Sequence, residues 1–317
     1  MTNVLIVLAL PEPVRMQYVH RIRQAFPELQ LDAVAHHGEV DPYIAETDVL
    51  LTFGPHMANH VFEKAKRLKW VQALGTGVDG ITDQPALRND VLVTNMHGFH
   101  GAPVSEAAVM GMLALSRGLP RALRHQGQHR WERFPAKLLA GTTVGIFGIG
   151  AIAQELAPRC KALGMTVVGI TSAKRPVAGF DAVYARDELA QAVTDLDHLV
   201  LLTPLTPETR NIINAKILAA MKPTSFLINL ARGGVVDEPA LIDALAHRRI
   251  AGAALDVFAS EPLPEDSALW DLENVIITTH QGGFFDGYPR FALPVIEANL
   301  RRWLAGDVAN MTNVVRR

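Results

Sequence analysis

Residues 145–154 read GIFGIGAIAQ, preceded by the apolar run TTVGIF (142–147) and followed by a helix-like stretch. Gly148, Gly150 and Ala153 fit the pattern G-x-G-x-x-G/A. Each position has a physical requirement. Gly148 permits a tight strand-to-helix turn, and Gly150 lets the backbone approach a pyrophosphate. The third position needs only a small residue for helix–strand packing, which Ala153 supplies. The helix that follows directs free N–H groups at phosphates. An isolated glycine turn of this kind can also occur without a ligand. Here the strand, turn, helix and second strand follow in the order the fingerprint requires, so the stretch reads as a dinucleotide-binding turn.

Outward from this turn, short β-type runs alternate with helix-length segments. VLIVLAL, LQLDAV, DVLLTF, WVQALG and VLVTN form a first series, with a helical stretch near 13–25. TTVGIFGIG, MTVVGIT, HLVLLTP, SFLINLA, IAGAALDVF and NVIITTH form a second. The second-series strands are nearly continuous in apolar residues, as strands buried on both faces should be. The fold class is therefore α/β with parallel sheets, and 317 residues suit two domains. Between the series, APVSEAAVMGMLALSRGLPRALRHQ has the apolar periodicity of one long helix joining the domains. The segment PRFALPVIEANLRRWLAG near the end is helical and can pack back on the first domain.

The chain is 49% apolar and 20% charged with a formal net charge of -2, which shows no nucleic-acid footprint. No run reaches the ~18 apolar residues of a membrane span. MTNVLIVLALPEP has no basic start, and Pro11 and Pro13 cut its apolar run short, so it reads as a first strand rather than a signal peptide. The single Cys160 excludes an intramolecular disulfide and is compatible with a reducing, cytoplasmic setting. No nucleic-acid or membrane partner is expected.

In open parallel sheets, ligands bind outside the carboxyl ends of the strands. SFLINLA runs into Arg232, GAALDVF runs toward Glu261, and NVIITT runs into His280. Taken singly, these are a surface cap, a solvated carboxylate and a structural histidine. Their shared placement brings a cation, a carboxylate and an imidazole to one crevice. A guanidinium holds a substrate carboxylate in a planar fork. An imidazolium donates a proton to a carbonyl oxygen as hydride arrives at carbon. A carboxylate beside an imidazole fixes its tautomer and favours its charged form.

At these residues the chain resembles the D-isomer-specific 2-hydroxyacid dehydrogenases, among them glyoxylate/hydroxypyruvate reductase-like and phosphoglycerate dehydrogenase-like members. The motifs that carry the resemblance span almost the whole length: LGTGVDGI (74–81), VLVTN (91–95), VSEAA (104–108), GQHRWER (127–133), VGIFGIGAIA, TPLTPETRNIIN, NLARGGVVDEPAL, GAALDVFASEPLP and TTHQGG. The resemblance implies a homodimer with two Rossmann-like domains, the smaller one discontinuous and flavodoxin-like. It implies a substrate domain at 1–98 and 284–317 and a dinucleotide domain at 99–283. Arg232, Glu261 and His280 would be catalytic, and Thr76, Gly77 and Arg232 would bind substrate. Gly148, Gly150, Ala151, Ile152, Thr203, Pro204, Leu230, Ala231, Asp256, Gly282 and Gly283 would line the cofactor site. Trp131 would lie near the partner's active site or within the interface. Two departures stand out: His97 in TNMHG replaces a proline frequent in the family, and Gln281 follows His280 where many relatives are apolar. His97 and His100 read as structural or solvated, with substrate contact as the alternative.

The choice of dinucleotide turns on the end of the second strand. NAD-specific folds place an acidic residue there, about 20 positions after the turn. Here MTVVGI is followed by Thr171, Ser172, Lys174 and Arg175, with no carboxylate before Asp181. Two hydroxyls and two cations suit a 2′-phosphate, so NADP is expected over NAD. The expected function is hydride transfer between NAD(P)(H) and a small 2-oxo or D-2-hydroxy acid. The alternative is a dinucleotide-sensing, corepressor-like binding protein on the same scaffold. His56 with His60, and His125 with His129, have helical i,i+4 spacing but lack the glutamate of a metalloprotease pair, so no metal is expected. HRWERF reads as an interface or solvated face, and Cys160 as core.

Overall fold

Thr143–Phe147, the apolar run ahead of the glycine turn, is a central strand of a seven-stranded parallel sheet in the computed structural model, which describes residues 1–54 and 57–315. The chain divides into two units, 1–99 with 285–317, and 100–284. Each division lies one residue beyond the expected position.

The first unit carries β1 (Asn3–Val7), β2 (Gln30–Val34), β3 (Val49–Thr52), β4 (Trp70–Ala73) and β5 (Leu92–Thr94). Their order is β2-β1-β3-β4-β5, the flavodoxin-like arrangement. The helix Tyr288–Leu304 returns to this unit, where Ala292, Ile296 and Leu300 join Tyr18 and Ile22 in one core. A two-residue strand at Val314–Val315 pairs antiparallel with β5.

The second unit carries β6 (Thr143–Phe147), β7 (Thr166–Thr171), β8 (Ala182–Ala185), β9 (His198–Leu201), β10 (Phe226–Asn229), β11 (Gly252–Leu255) and β12 (Val275–Ile277). The order is β8-β7-β6-β9-β10-β11-β12, so the winding reverses between β6 and β9. Strands β6, β9, β10 and β11 are buried along their length apart from Thr143 at the start of β6, which accounts for their unbroken apolar runs. Every strand of this sheet runs parallel, so all seven carboxyl ends face one edge. That edge is where a doubly wound sheet binds its ligand.

Two expectations are corrected. The long helix is broken into Gly101–Ser116 and Leu119–Gly127. Gly118 between them takes a left-handed φ of 68°, and a Cβ there would lie 2.6 Å from Phe134, so only glycine fits the bend. Strand β8 is additional to the expected series; its short, partly exposed AVYA run gives little apolar signal at the sheet edge. Cys160 is buried beside Leu156 and Met165, and burial pushes its thiol up to about 12, so it is a core residue. No helix among the described residues is long and apolar enough to cross a membrane.

Candidate active site

The glycine turn is built as its sequence requires. Gly148 has φ 102°, and a Cβ there would lie 2.6 Å from the Thr203 backbone nitrogen. A side chain at this point would push apart the ends of β6 and β9. Gly150 caps the helix Ala151–Ala162, and the space where its Cβ would stand is open. Ala151 is exposed and Ile152 half-buried at the helix start, while Ala153 is fully buried in the core. An uncovered backbone with helical N–H groups ahead of it fits a pyrophosphate. Thr203 and Pro204 follow β9 nearby in sequence, the first buried and the second exposed.

Arg232, Glu261 and His280 all belong to the second unit and are drawn together by the loops after β10, β11 and β12. Asn229, the last residue of β10, shapes the first loop. Its side chain accepts the Ala231 amide at 3.1 Å and donates to the Arg232 carbonyl at 3.2 Å. Leu230 and Ala231 lie inside this turn. Gly233 follows, and a Cβ on it would stand 1.9 Å from the Phe258 carbonyl, so glycine is needed for the two loops to touch. Phe258 in turn donates its amide to Glu261 Oε1 at 3.0 Å. The other oxygen, Oε2, lies 2.6 Å from His280 Nδ1. A continuous chain of contacts therefore runs from the arginine turn to the imidazole.

Burial acts to raise the Glu261 carboxyl. The hydrogen bond and charge of His280, the Phe258 amide and the positive charge of Arg232 outweigh it, and the carboxyl is held below its usual range. Glu261 is therefore a carboxylate acceptor, and His280 donates Nδ1–H to it. That leaves Nε2 as the ring atom open to chemistry. Arg232 Nη1 donates to the Ala231 carbonyl at 2.6 Å, which anchors one end of its guanidinium fork.

Asp256, after β11, is buried among the loop's own donors: Thr278 Oγ1 at 2.6 Å, the Gln281 amide at 3.0 Å and the Gly282 amide at 2.8 Å. Gly282 is packed against it, since a Cβ would meet Asp256 Oδ2 at 2.9 Å, and Gly283 is close to His100. The Gln281 residue is exposed. His100 is buried at the start of the helix Gly101–Ser116, and His97 is exposed in the first unit. Thr76 and Gly77 follow β4 in that unit, where Asn95 donates to the Thr76 carbonyl at 2.6 Å.

Thr171 is the last residue of β7 and Ser172 follows it, with no carboxylate at the strand end. Lys174 is placed on Glu188, its Nζ 2.8 Å from Oε1, and over the Tyr184 ring at 5.6 Å; Arg175 is exposed. The contact between Lys174 and Glu188 had no signal in the sequence, because it depends on β8 bringing Glu188 beside the end of β7. The roles of Asn229 and Phe258 were equally hidden, since both act through the backbone of a neighbouring loop. His56 lies outside the described residues. His129 has φ 53° beyond the end of its helix, so it shares no helical face with His125. Among the described residues no three His, Cys, Asp or Glu side chains gather as metal ligands.

The doubly wound domain thus carries an uncovered glycine turn that fits a dinucleotide and, at neighbouring strand ends, an imidazole–carboxylate pair. The profile of the D-isomer specific 2-hydroxyacid dehydrogenase NAD binding domain matches residues 109–282, and the chain belongs to that family. It is 36% identical over 279 residues to a D-3-phosphoglycerate dehydrogenase of Methanocaldococcus jannaschii, covering 86% of this chain and 53% of that one. The chain thus spans about half the length of that relative. A glyoxylate reductase of Thermococcus gammatolerans is 32% identical over 311 residues, covering 90% of this chain and 93% of the relative. Among solved structures, an NADPH-dependent glyoxylate/hydroxypyruvate reductase from Sinorhizobium meliloti, in complex with NADP and sulfate, superposes with a TM-score of 0.83. It is 28% identical, and the match covers 99% of this chain and 98% of that one.

Proposed function

We propose that the protein is an NADPH-preferring reductase of small 2-oxo acids, acting reversibly on the D-2-hydroxy acids. The observation that carries this reading is the Glu261–His280 pair, which leaves His280 Nε2 at the sheet edge where the glycine turn also lies. The residues around that turn fit a nicotinamide dinucleotide, which when bound supplies or accepts hydride. Arg232 holds the substrate carboxylate through the outer arm of its fork. His280 Nε2 gives its proton to the carbonyl oxygen during reduction and takes it back during oxidation. Glu261 keeps the imidazole in the tautomer and orientation this needs. Thr76 and Gly77 stand at the carboxyl end of β4 in their own sheet, where backbone amides suit an anionic group.

Thr171, Ser172, Lys174 and Arg175 support the preference for the 2′-phosphate. Lys174 leaves Glu188 for this role at little cost, because an exposed ion pair is screened by solvent. The NADP-bound neighbour and the full-length likeness to a glyoxylate reductase favour glyoxylate or hydroxypyruvate as substrate class over a phosphorylated acid. A second copy of the chain covers the exposed apolar side chains of Met110, Leu113, Leu119 and Leu123, together with Trp131, which is 95% exposed in one chain.

The test is turnover of a panel of 2-oxo acids with each reduced cofactor, run beside a sedimentation mass. The reading expects turnover of short 2-oxo acids with NADPH ahead of NADH, by a particle of two chains. A protein that binds dinucleotide and turns over none of them is the sensing alternative.

A further inference from the structure

His280 has a backbone φ of 52°, a left-handed conformation that L residues with a Cβ rarely adopt. Such a conformation persists only where the surroundings over-determine it. Here one residue supplies the determinants. Asp256 Oδ1 accepts from Thr278 Oγ1 and the Gln281 amide, and Oδ2 accepts from the Gly282 amide. Its own carbonyl accepts the His280 amide at 2.8 Å. Residues 278, 280, 281 and 282 are therefore all tied to Asp256, which is only 4% exposed. Gly282 brings its backbone so close that a Cβ would press on Oδ2.

We propose that Asp256 is the positioning residue for His280, acting through the backbone on both sides of it rather than by touching the reacting atoms. This departs from the cofactor-lining role that the family resemblance implies for Asp256, and its kinetic part rests on the function proposed above. Glu261 fixes the ring from its Nδ1 edge, and Asp256 fixes the backbone from which the ring projects. Without the second restraint, the bond between Glu261 and His280 can form while Nε2 points away from the substrate. A misplacement of about 1 Å can cost 10²-fold in rate.

Asp256→Asn keeps an acceptor for Thr278 and Gln281 but sets an amide against the Gly282 N–H. The expected result is a fall in kcat of about 10-fold or more, with the dissociation constant for NADPH changed by less than about 2-fold. In a His280→Gln background the same substitution should cost less than about 2-fold, because a residue acting through His280 has nothing left to position. Equal costs in the two backgrounds, or a dissociation constant that rises in step with the loss of kcat, overturns the proposal. Thr278→Val removes one bond of the set and serves if the Asn variant does not fold; its expected loss is smaller and lies in kcat. A readout independent of turnover is the downfield Nδ1 proton of His280 in the NMR spectrum, assigned by its absence in His280→Gln. It should shift or broaden in Asp256→Asn, and an unchanged signal contradicts the positioning role. If the wild type turns over no 2-oxo acid, the proposed function fails and this resonance alone decides the role of Asp256.

Discussion

Glu261 Oε2 and His280 Nδ1 lie 2.6 Å apart, while Glu261 Oε1 takes the Phe258 amide at 3.0 Å. Both oxygens are thus engaged, and the carboxyl stays ionised below its usual range despite its burial. Its charge faces the imidazole. Glu261→Gln removes the charge and keeps the shape. kcat for reduction should then fall by about 10-fold or more with the NADPH dissociation constant little changed, because a neutral amide holds the Nδ1–H of His280 less firmly than a carboxylate does. Turnover and NADPH titration of the two proteins check this, and an unchanged kcat argues against a functional pair.

Arg232→Lys keeps a positive charge but loses the planar fork. A fall in kcat/KM of about 10²-fold or more is expected for a 2-oxo acid, since one ammonium cannot replace two parallel N–H bonds. An uncharged carbonyl analogue should lose much less. Equal losses for the two substrates assign Arg232 to structure, through its bond to the Ala231 carbonyl.

Cofactor preference should follow the end of β7. Thr171→Asp combined with Lys174→Ala and Arg175→Ala adds a ribose acceptor and removes two cations, so kcat/KM should move toward NADH. Glu188→Gln has the opposite effect, because it releases Lys174 from its 2.8 Å contact and removes a negative charge near the phosphate site. Comparing kcat/KM for both cofactors across the variants decides the point, and a wild-type preference for NADH sinks the assignment.

The interior of the second unit carries its own pH dependence. His198 is buried at the start of β9, with Ser116 Oγ 3.4 Å from Nε2 and the Phe226 ring stacked on it. Burial pushes its imidazole down to about 4. The unfolded chain takes up this proton near the ordinary histidine value, while the folded chain resists it until about 4. Stability is therefore complete above the unfolded value and drains away as pH falls through the window between the two. About 2 kcal/mol from this one group is lost by pH 5. The thermal midpoint of His198→Leu should fall less than that of wild type between pH 7 and pH 5. Parallel pH dependence in the two proteins contradicts this.

What was legible in the sequence was whatever a single segment encodes. The glycine turn, the buried strands and the strand-end positions of Arg232, Glu261 and His280 are each set within a few residues of chain. Strand β8 and the Val314–Val315 pairing were not, because short edge strands bury little and leave no periodic trace. The break at Gly118 is marked locally by Gly118 and Pro120, whereas the packing of Phe134 against Gly118 leaves no local trace. The same holds within the site: Gly233 answers to Phe258, Lys174 answers to Glu188, and Asp256 answers to the loop after β12. A sequence names such residues without naming their partners.

The central claim is that His280 moves the proton while hydride is exchanged with a 2-oxo acid. Its most direct measurement is kcat for wild type and His280→Gln, side by side on glyoxylate and hydroxypyruvate at saturating NADPH. Loss of general acid catalysis predicts a fall of about 10²–10⁴-fold in kcat, with the NADPH dissociation constant unchanged. Near-normal turnover by His280→Gln would contradict the account.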